Sequence, residues 1–314
     1  MPSYLVTGGC GFIGAHLCRS LLADGNQVRV IDDLSTGRRD NLPDGVEFFE
    51  GDISDQYCLD AGLAGIDGCF HLAAVASVAR GVADWLGTHR VNLRGAIVLF
   101  DAIARLPGGR RPPVVYASSA AVYGDARPLP LDEATEKRPL SAYGADKYAT
   151  ELHAGVATHV HGIPTVGLRF FNVYGPRQDP ASPYSGVISI FCERLRTGRA
   201  IDVFGDGGQT RDFVYVADAV AALRAAMRVM PAGAPAFNVC TGHATSIRAL
   251  AGTIGALRSV RPELVFRPAR GGDIRDSLGS TARMQEALGL TPATPLPVGL
   301  AAVLDWLDDG GFGG

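Results

Sequence analysis

Ser119, Tyr143 and Lys147 are the side chains whose types and spacing suit proton transfer to and from an alcohol. Tyr143 and Lys147 stand four apart in Tyr143-Gly144-Ala145-Asp146-Lys147, so on a helix they share one face. The chain carries 27 arginines but only two lysines, Lys137 and Lys147. From that composition about 0.06 Tyr-x-x-x-Lys matches are expected by chance, which makes this one informative. A phenol with an ordinary pKa near 10 is a poor base at neutral pH. An ammonium nearby favours the phenolate and brings it towards the working range. Lysine suits that task better than arginine because its charge is compact and its donors rotate. The Ser119 hydroxyl can share the proton. The set describes proton abstraction from a secondary alcohol, the partner step of a hydride transfer. The bland alternative is a surface helix with an incidental i,i+4 pair, and the N-terminal motif weighs against it.

Elements able to hold these groups are visible on both sides. Segment 141–161 reads as a helix opened by Ser141, with a periodic apolar run of Ala145, Tyr148, Ala149, Leu152 and Val156. Pro112 to Ala117 reads as a strand that delivers Ser118 and Ser119. At the other end, Tyr4-Leu5-Val6 is a buried-strand run followed by Thr7-Gly8-Gly9-Cys10-Gly11-Phe12-Ile13-Gly14. Glycine is abundant enough that about 0.6 G-x-x-G-x-x-G triads are expected by chance, so placement carries the weight. Gly8, Gly11 and Gly14 follow the first strand and open a helix, where bare backbone lets a pyrophosphate approach the helix N-terminus. The next strand, Gln27 to Ile31, ends at Asp32. A carboxylate there accepts bonds from ribose hydroxyls and repels a 2′-phosphate, favouring NAD over NADP.

The β-α alternation continues through strands at 46–50 and 68–74, a long helix at about 85–106 containing Asn92, and the strand at 164–169. This predicts an α/β fold with a doubly wound parallel, Rossmann-type sheet and ligands outside the carboxyl ends of the strands. His71, isolated at a strand end, is expected to be structural. The pattern breaks in the glycine- and proline-rich stretch after Phe170. We therefore expect an NAD-binding domain over 1–170, with part of 213–245 returning to it. A smaller C-terminal α/β lobe over 171–314 would bind the substrate.

At 314 residues, 47% hydrophobic and 19% charged, the chain has the composition of an ordinary globular protein. Its net charge of −3 offers no footprint for nucleic acid or an anionic membrane. Six cysteines lack metal-ligand spacing, so no metal is expected and reduced thiols in a cytoplasmic protein are. No signal peptide or membrane span is legible.

These motifs, in this order over about 300 residues, resemble the extended short-chain dehydrogenase/reductase superfamily, and within it the nucleotide-sugar 4-epimerases. The resemblance implies that Ser119, Tyr143 and Lys147 are catalytic; Ser119 lies four residues before the Tyr123-Gly124 pair, as the family's hydroxyl does. It implies NAD contacts from Gly8, Gly11, Phe12, Ile13, Gly14 and Asp32. Asp52 and Ile53 would flank the adenine, Leu72, Ala73 and Ala74 would line the cofactor with Ser118, Asn92 would lie beneath Tyr143, and Phe171 near the nicotinamide. For a UDP-sugar it implies Asn172, Arg211 and Arg270 at the pyrophosphate, where two guanidinium forks suit a diphosphate. Val203, Phe204 and Asp273 would surround the uridine. A homodimer built from the helices at about 85–106 and 141–161 is a further implication.

The position that walls the sugar's C2 substituent in the related epimerases corresponds to Ser277. A tyrosine there restricts the enzyme to glucose and galactose, whereas a small residue leaves room for N-acetyl groups. The resemblance thus implies UDP-GlcNAc and UDP-GalNAc as a substrate pair, with UDP-glucose and UDP-galactose also accepted. Related dehydratases and decarboxylases carry an acid between the catalytic hydroxyl and the Tyr-Gly pair, where this chain has Ala120, Ala121 and Val122. A strict UDP-glucose or UDP-glucuronate 4-epimerase would need the same residues as the reading above. A catalytically silent NAD-binding protein is the reading from another class, and such proteins commonly lack the Tyr or the Lys.

Overall fold

The computed structural model describes residues 1–76, 78–180, 186–269 and 274–311. In chain order its strands are β1 (Ser3–Thr7), β2 (Gln27–Asp32), β3 (Glu47–Glu50), β4 (Gly68–His71), β5 (Val114–Ser119), β6 (Thr165–Phe170), β7 (Asn172–Tyr174), β8 (Ile201–Phe204), β9 (Thr210–Tyr215), β10 (Ala236–Val239), β11 (Ala244–Ser246) and β12 (Leu264–Arg267). Seven of them form one sheet in the order β10-β6-β5-β4-β1-β2-β3, and every pairing within it is parallel. Such a sheet must be covered on both faces, which is why β4 and β6 are buried along their whole length. One apolar layer contains Leu17 and Leu21 of helix Phe12–Ala23 and Leu223 of helix Val216–Val229. The other contains Leu59, Leu99 and Ala154, from three helices on the opposite face. Strand order reverses between β1 and β4, and that switch point opens a crevice at the strands' carboxyl ends.

β10 joins the sheet beyond β6, so the chain does come back after its irregular middle. The returning piece is helix Val216–Val229 with β10, while β9 pairs with β7 and β11 in a separate three-stranded sheet. β8 and β12 make a further parallel pair. A third core, including Phe191, Phe213, Leu250 and Leu304, holds these pieces together.

The long helix expected at 85–106 is interrupted. It runs as Trp85–His89, widens into a π-turn over Arg90–Arg94, and resumes as Gly95–Ala104. Hydrophobic periodicity does not report one extra residue in a turn, and π-turns occur frequently at functional sites. Here the widened turn contains Asn92. Helix Ala142–His161 forms where its N-cap implies, with Ser141 Oγ accepting from the Gly144 amide at 3.1 Å. Its buried face is not the apolar run: Gly144, Asp146, Lys147, Thr150, Ala154 and Ala157 point inwards, while Leu152 and Val156 are exposed.

Candidate active site

The end of β5 and the first turns of helix Ala142–His161 meet outside the carboxyl edge of the sheet. Ser119 closes β5 and caps a short 3-10 turn over Ala120–Tyr123, its Oγ accepting from the Ala121 amide at 3.1 Å. Gly144 allows the helix to approach that turn. A Cβ on it would lie 2.6 Å from the Ala121 carbonyl oxygen, so any side chain would push Tyr143 away. The Tyr143 phenol lies close to the Ser119 hydroxyl, which favours its ionised form. Lys147 Nζ lies 5.8 Å from the Tyr143 ring centroid and donates to the Ala117 carbonyl at 2.8 Å. Two chain segments thus bring together the three groups read from sequence.

Burial dominates the electrostatics of the pair. It raises the Tyr143 phenol above its ordinary value, with the Ser119 hydroxyl working against it. It also lowers Lys147 to about 8, Asp146 opposing. With only 3% of Lys147 exposed, loss of solvation weighs against the charged form of the amine as it does against that of the phenol. Behind it lies His71, whose Nδ1 is 2.8 Å from Thr7 Oγ1. Burial and then Lys147 hold this imidazole neutral down to about pH 3, which fits a structural role.

Lys147 also enters the pH dependence of stability, where it is outweighed. Its folded value lies below the ordinary 10.5, so its contribution to stability rises with pH between about 8 and 10.5. Five buried thiols act in the opposite sense. Cys10, Cys18 and Cys192 are raised by burial from 9.0 to about 12, and Cys69 and Cys240 are raised too. Above pH 9 the unfolded chain releases these protons while the folded chain retains them. Each group is worth at most about 1.4 kcal/mol per pH unit, so five thiols dominate one lysine. Under reducing conditions we expect the denaturant midpoint to drop between pH 9 and 10 by the equivalent of a few kcal/mol. A flat or rising midpoint would contradict the buried thiol assignment.

The crevice at the β1/β4 switch is lined by Gly8, Gly11, Asp32, Ile53, Leu72, Ala73 and Ala74, together with Val75 and Val91. Its glycines are there for contact: a Cβ on Gly8 would sit 2.6 Å from Ala73 N, and one on Gly14 2.2 Å from Gly8 O. Gly11 caps helix Phe12–Ala23 with no side chain, leaving the first-turn amides at Phe12 and Ile13 for an anion. Asp32 is 7% exposed and accepts from the amides of Cys10 and Leu34, each at 2.9 Å. Burial raises its pKa and those two amides lower it. A bare anion cradle one strand away from a buried carboxylate fits the pyrophosphate and ribose of NAD. Asn92, 1% exposed, clamps Val75 from both sides, accepting its N–H at 2.8 Å and donating to its C=O at 3.2 Å. It thereby shapes the crevice wall. Asp33, Ser35 and Thr36 also line the crevice and were not singled out from sequence; an exposed Asp-x-Ser turn after a strand looks like any other loop.

Three of the residues implied for ligand contact are placed outside the crevice lining. Asp52 is paired with Arg90 at 2.8 Å and accepts from Ser54 N, while Gly51 and Ile53 on either side of it line the slot. Ser118 is 2% exposed and donates to Glu151 Oε1 at 2.5 Å, because alternation along β5 points it into the core when Ser119 points out. Val203 is 1% exposed within the third core and offers a ligand only its backbone. Phe171 is 6% exposed and packs against Gly279, where a Cβ would meet its ring at 2.6 Å.

Of the groups implied for a nucleotide sugar, Asn172 opens β7 and is exposed, while Phe204 and Arg211 are half-buried on β8 and β9. Arg211 Nη1 donates to the Thr210 carbonyl at 2.8 Å. Ser277 is half-buried, its amide donating to Thr210 O at 3.2 Å. Arg270 and Asp273 lie outside the described residues. Among the described residues no cluster of His, Cys, Asp and Glu could hold a metal, and no helix is long and apolar enough to cross a membrane.

Comparison with known proteins agrees with this geometry. The family model described as "NAD dependent epimerase/dehydratase family" matches residues 4–240. A UDP-glucose 4-epimerase of Mycolicibacterium smegmatis is 41% identical, over 96% of this chain and 97% of its own. The crystal structure of a Thermotoga maritima UDP-glucose 4-epimerase with UDP-glucose superposes with a TM-score of 0.93 at 34% identity, covering 98% and 99% of the two chains. A UDP-N-acetylglucosamine 4-epimerase from Methanobrevibacter ruminantium, in complex with UDP-N-acetylmuramic acid, gives 0.92 at 32% identity and covers 98% of each.

Proposed function

The chain belongs to the NAD dependent epimerase/dehydratase family, and from that premise we propose an NAD-dependent UDP-sugar 4-epimerase. We assign it the interconversion of UDP-GlcNAc and UDP-GalNAc, with UDP-glucose and UDP-galactose also accepted. The observation that carries the reading is the Tyr143 phenol close to Ser119 with Lys147 behind it, next to a crevice that fits NAD. The first 170 residues, with helix Val216–Val229 and β10, hold the cofactor. The rest hold the nucleotide sugar, with Asn172, Arg211 and Arg270 on the diphosphate.

Bound NAD supplies what side chains lack, a centre that takes the C4 hydride and gives it back. The protein's own part is proton management. Ser119 Oγ and Tyr143 Oη hold the C4 hydroxyl between them, and Tyr143 takes its proton. Lys147, fixed to the Ala117 carbonyl, is the adjacent cation. The 4-keto sugar then turns about its diphosphate link and presents its other face, and Tyr143 returns the proton. Ala120, Ala121 and Val122 supply no second acid or base, which favours this reversible oxidation over elimination. Incubation with each UDP-sugar and separation of products tests the assignment. Conversion of no UDP-sugar would overturn it.

The cofactor can be tested apart from turnover. Asp32→Ala should weaken NAD binding to the stripped protein at least tenfold, since it removes the ribose acceptor and frees the Cys10 and Leu34 amides, and should narrow the preference over NADP. Equal or tighter NADP binding by the unaltered protein, measured by calorimetry, would defeat the reading. A homodimer is supported by the outward apolar stripe Leu152, Val156 and Val160, 57%, 48% and 71% exposed.

A further inference from the structure

Helix Ala142–His161 presents a stripe at four-residue spacing to the end of β5, and its third member takes no part in the chemistry above. Tyr143 meets Ser119, Lys147 meets the Ala117 carbonyl, and Glu151 meets Ser118. Glu151 accepts from Ser118 Oγ at 2.5 Å. The same carboxylate is gripped by Arg169 of β6, Nε to Oε1 at 2.9 Å and Nη2 to Oε2 at 2.7 Å. The two side chains are 5% and 8% exposed. A bidentate guanidinium–carboxylate pair removed from water has one low-energy geometry. Its other contacts extend that geometry to the Ser119 turn: Arg169 Nη1 donates to Tyr123 Oη at 2.8 Å, and Tyr123 donates to Asn238 Oδ1 at 2.7 Å.

We infer that Glu151 is a positioning residue for the proton-transfer pair, locking the end of β5 to the catalytic helix through Ser118 so that Ser119 meets Tyr143 in one register. The inference rests on the epimerase reading for its kinetic consequence only. Ser119 adjoins Ser118, so a strand end free to slide along the helix draws the Ser119 hydroxyl away from Tyr143. That hydroxyl works against the larger effect of burial on the phenol. The charged and titratable groups around the phenol are Lys147 and Asp146 on its own helix and the neutral His71 on β4 behind Lys147. Glu151 and Arg169 lie two turns on and neutralise each other.

Two variants test this. Ser118→Ala deletes only the link to the strand, and Glu151→Gln keeps the shape while loosening the grip of Arg169. In each we expect kcat to fall about tenfold with KM within twofold, and the acid limb of the kcat profile to move to higher pH. Ser118→Thr, which keeps the hydroxyl, should recover most of the rate. In the free protein, ultraviolet difference titration against Tyr143→Phe should show the Tyr143 transition at higher pH in both variants. That measurement needs no substrate, so it reads the inference even if no UDP-sugar is converted, an outcome that would defeat only the epimerase reading. An unmoved Tyr143 transition and an unchanged profile, with only the melting temperature lowered, would make the network purely structural and overturn the proposal.

Discussion

Tyr143→Phe is expected to lower kcat by about 10²–10⁴, the span of one acid–base group, with NAD binding and melting temperature little changed. The substitution keeps the ring that packs beside Lys147 and removes the single oxygen close to Ser119. A loss of that size corresponds to roughly 3–5 kcal/mol on the barrier. Ser119 and Lys147 remain in the variant, but neither replaces a phenol. A serine hydroxyl is a far weaker acid, and the Lys147 ammonium is already committed to the Ala117 carbonyl. Steady-state rates on the best UDP-sugar, together with a titration of NAD, separate lost chemistry from lost binding. Near-normal turnover would remove Tyr143 from the mechanism.

Ser277→Tyr is expected to cost more than 10² in kcat/KM for UDP-GlcNAc while leaving UDP-glucose within a few-fold. The tertiary structure shows how the segment carrying Ser277 is held. Asp276 is tied to Arg127 at 2.8 Å and to Thr210 Oγ1 at 3.0 Å, so in an extended segment Ser277 points the other way. On either side of it, Thr210 O accepts the Ser277 amide and Leu131 N donates to Leu278 O. A segment held on both edges cannot slide to let a tyrosine ring escape. The ring then occupies the acetamido space, and a steric wall of that kind costs several kcal/mol for the larger sugar and little for the smaller. Rates on both sugar pairs for the natural protein and the variant decide the matter. Unchanged use of UDP-GlcNAc by the variant, or its refusal by the natural protein, would end this assignment.

Local sequence determined what local physics controls. Alternation of apolar runs with helical periods specified the doubly wound sheet, since parallel strands buried on both faces admit few other residues. Glycines after β1 specified a close backbone approach, the acid at the end of β2 a carboxylate at the crevice, and Ser141 the helix start. Tyr143 and Lys147 were legible as a pair because four residues is one helical turn. Contacts between distant segments were decided only in three dimensions. Periodicity marked Leu152 and Val156 as part of an apolar run without showing what covers it; the helix buries Asp146, Lys147 and Thr150 and leaves the leucine and valine outside. A face that holds polar groups for chemistry violates the binary pattern, and no local rule reveals which face a neighbouring strand will choose. Ser118 and Ser119 differ in role only through strand alternation, which sends one hydroxyl to Glu151 and the other to Tyr143. The phenol's ionisation has the same two sources: sequence shows the charge beside it, while the burial that raises its pKa belongs to the whole fold.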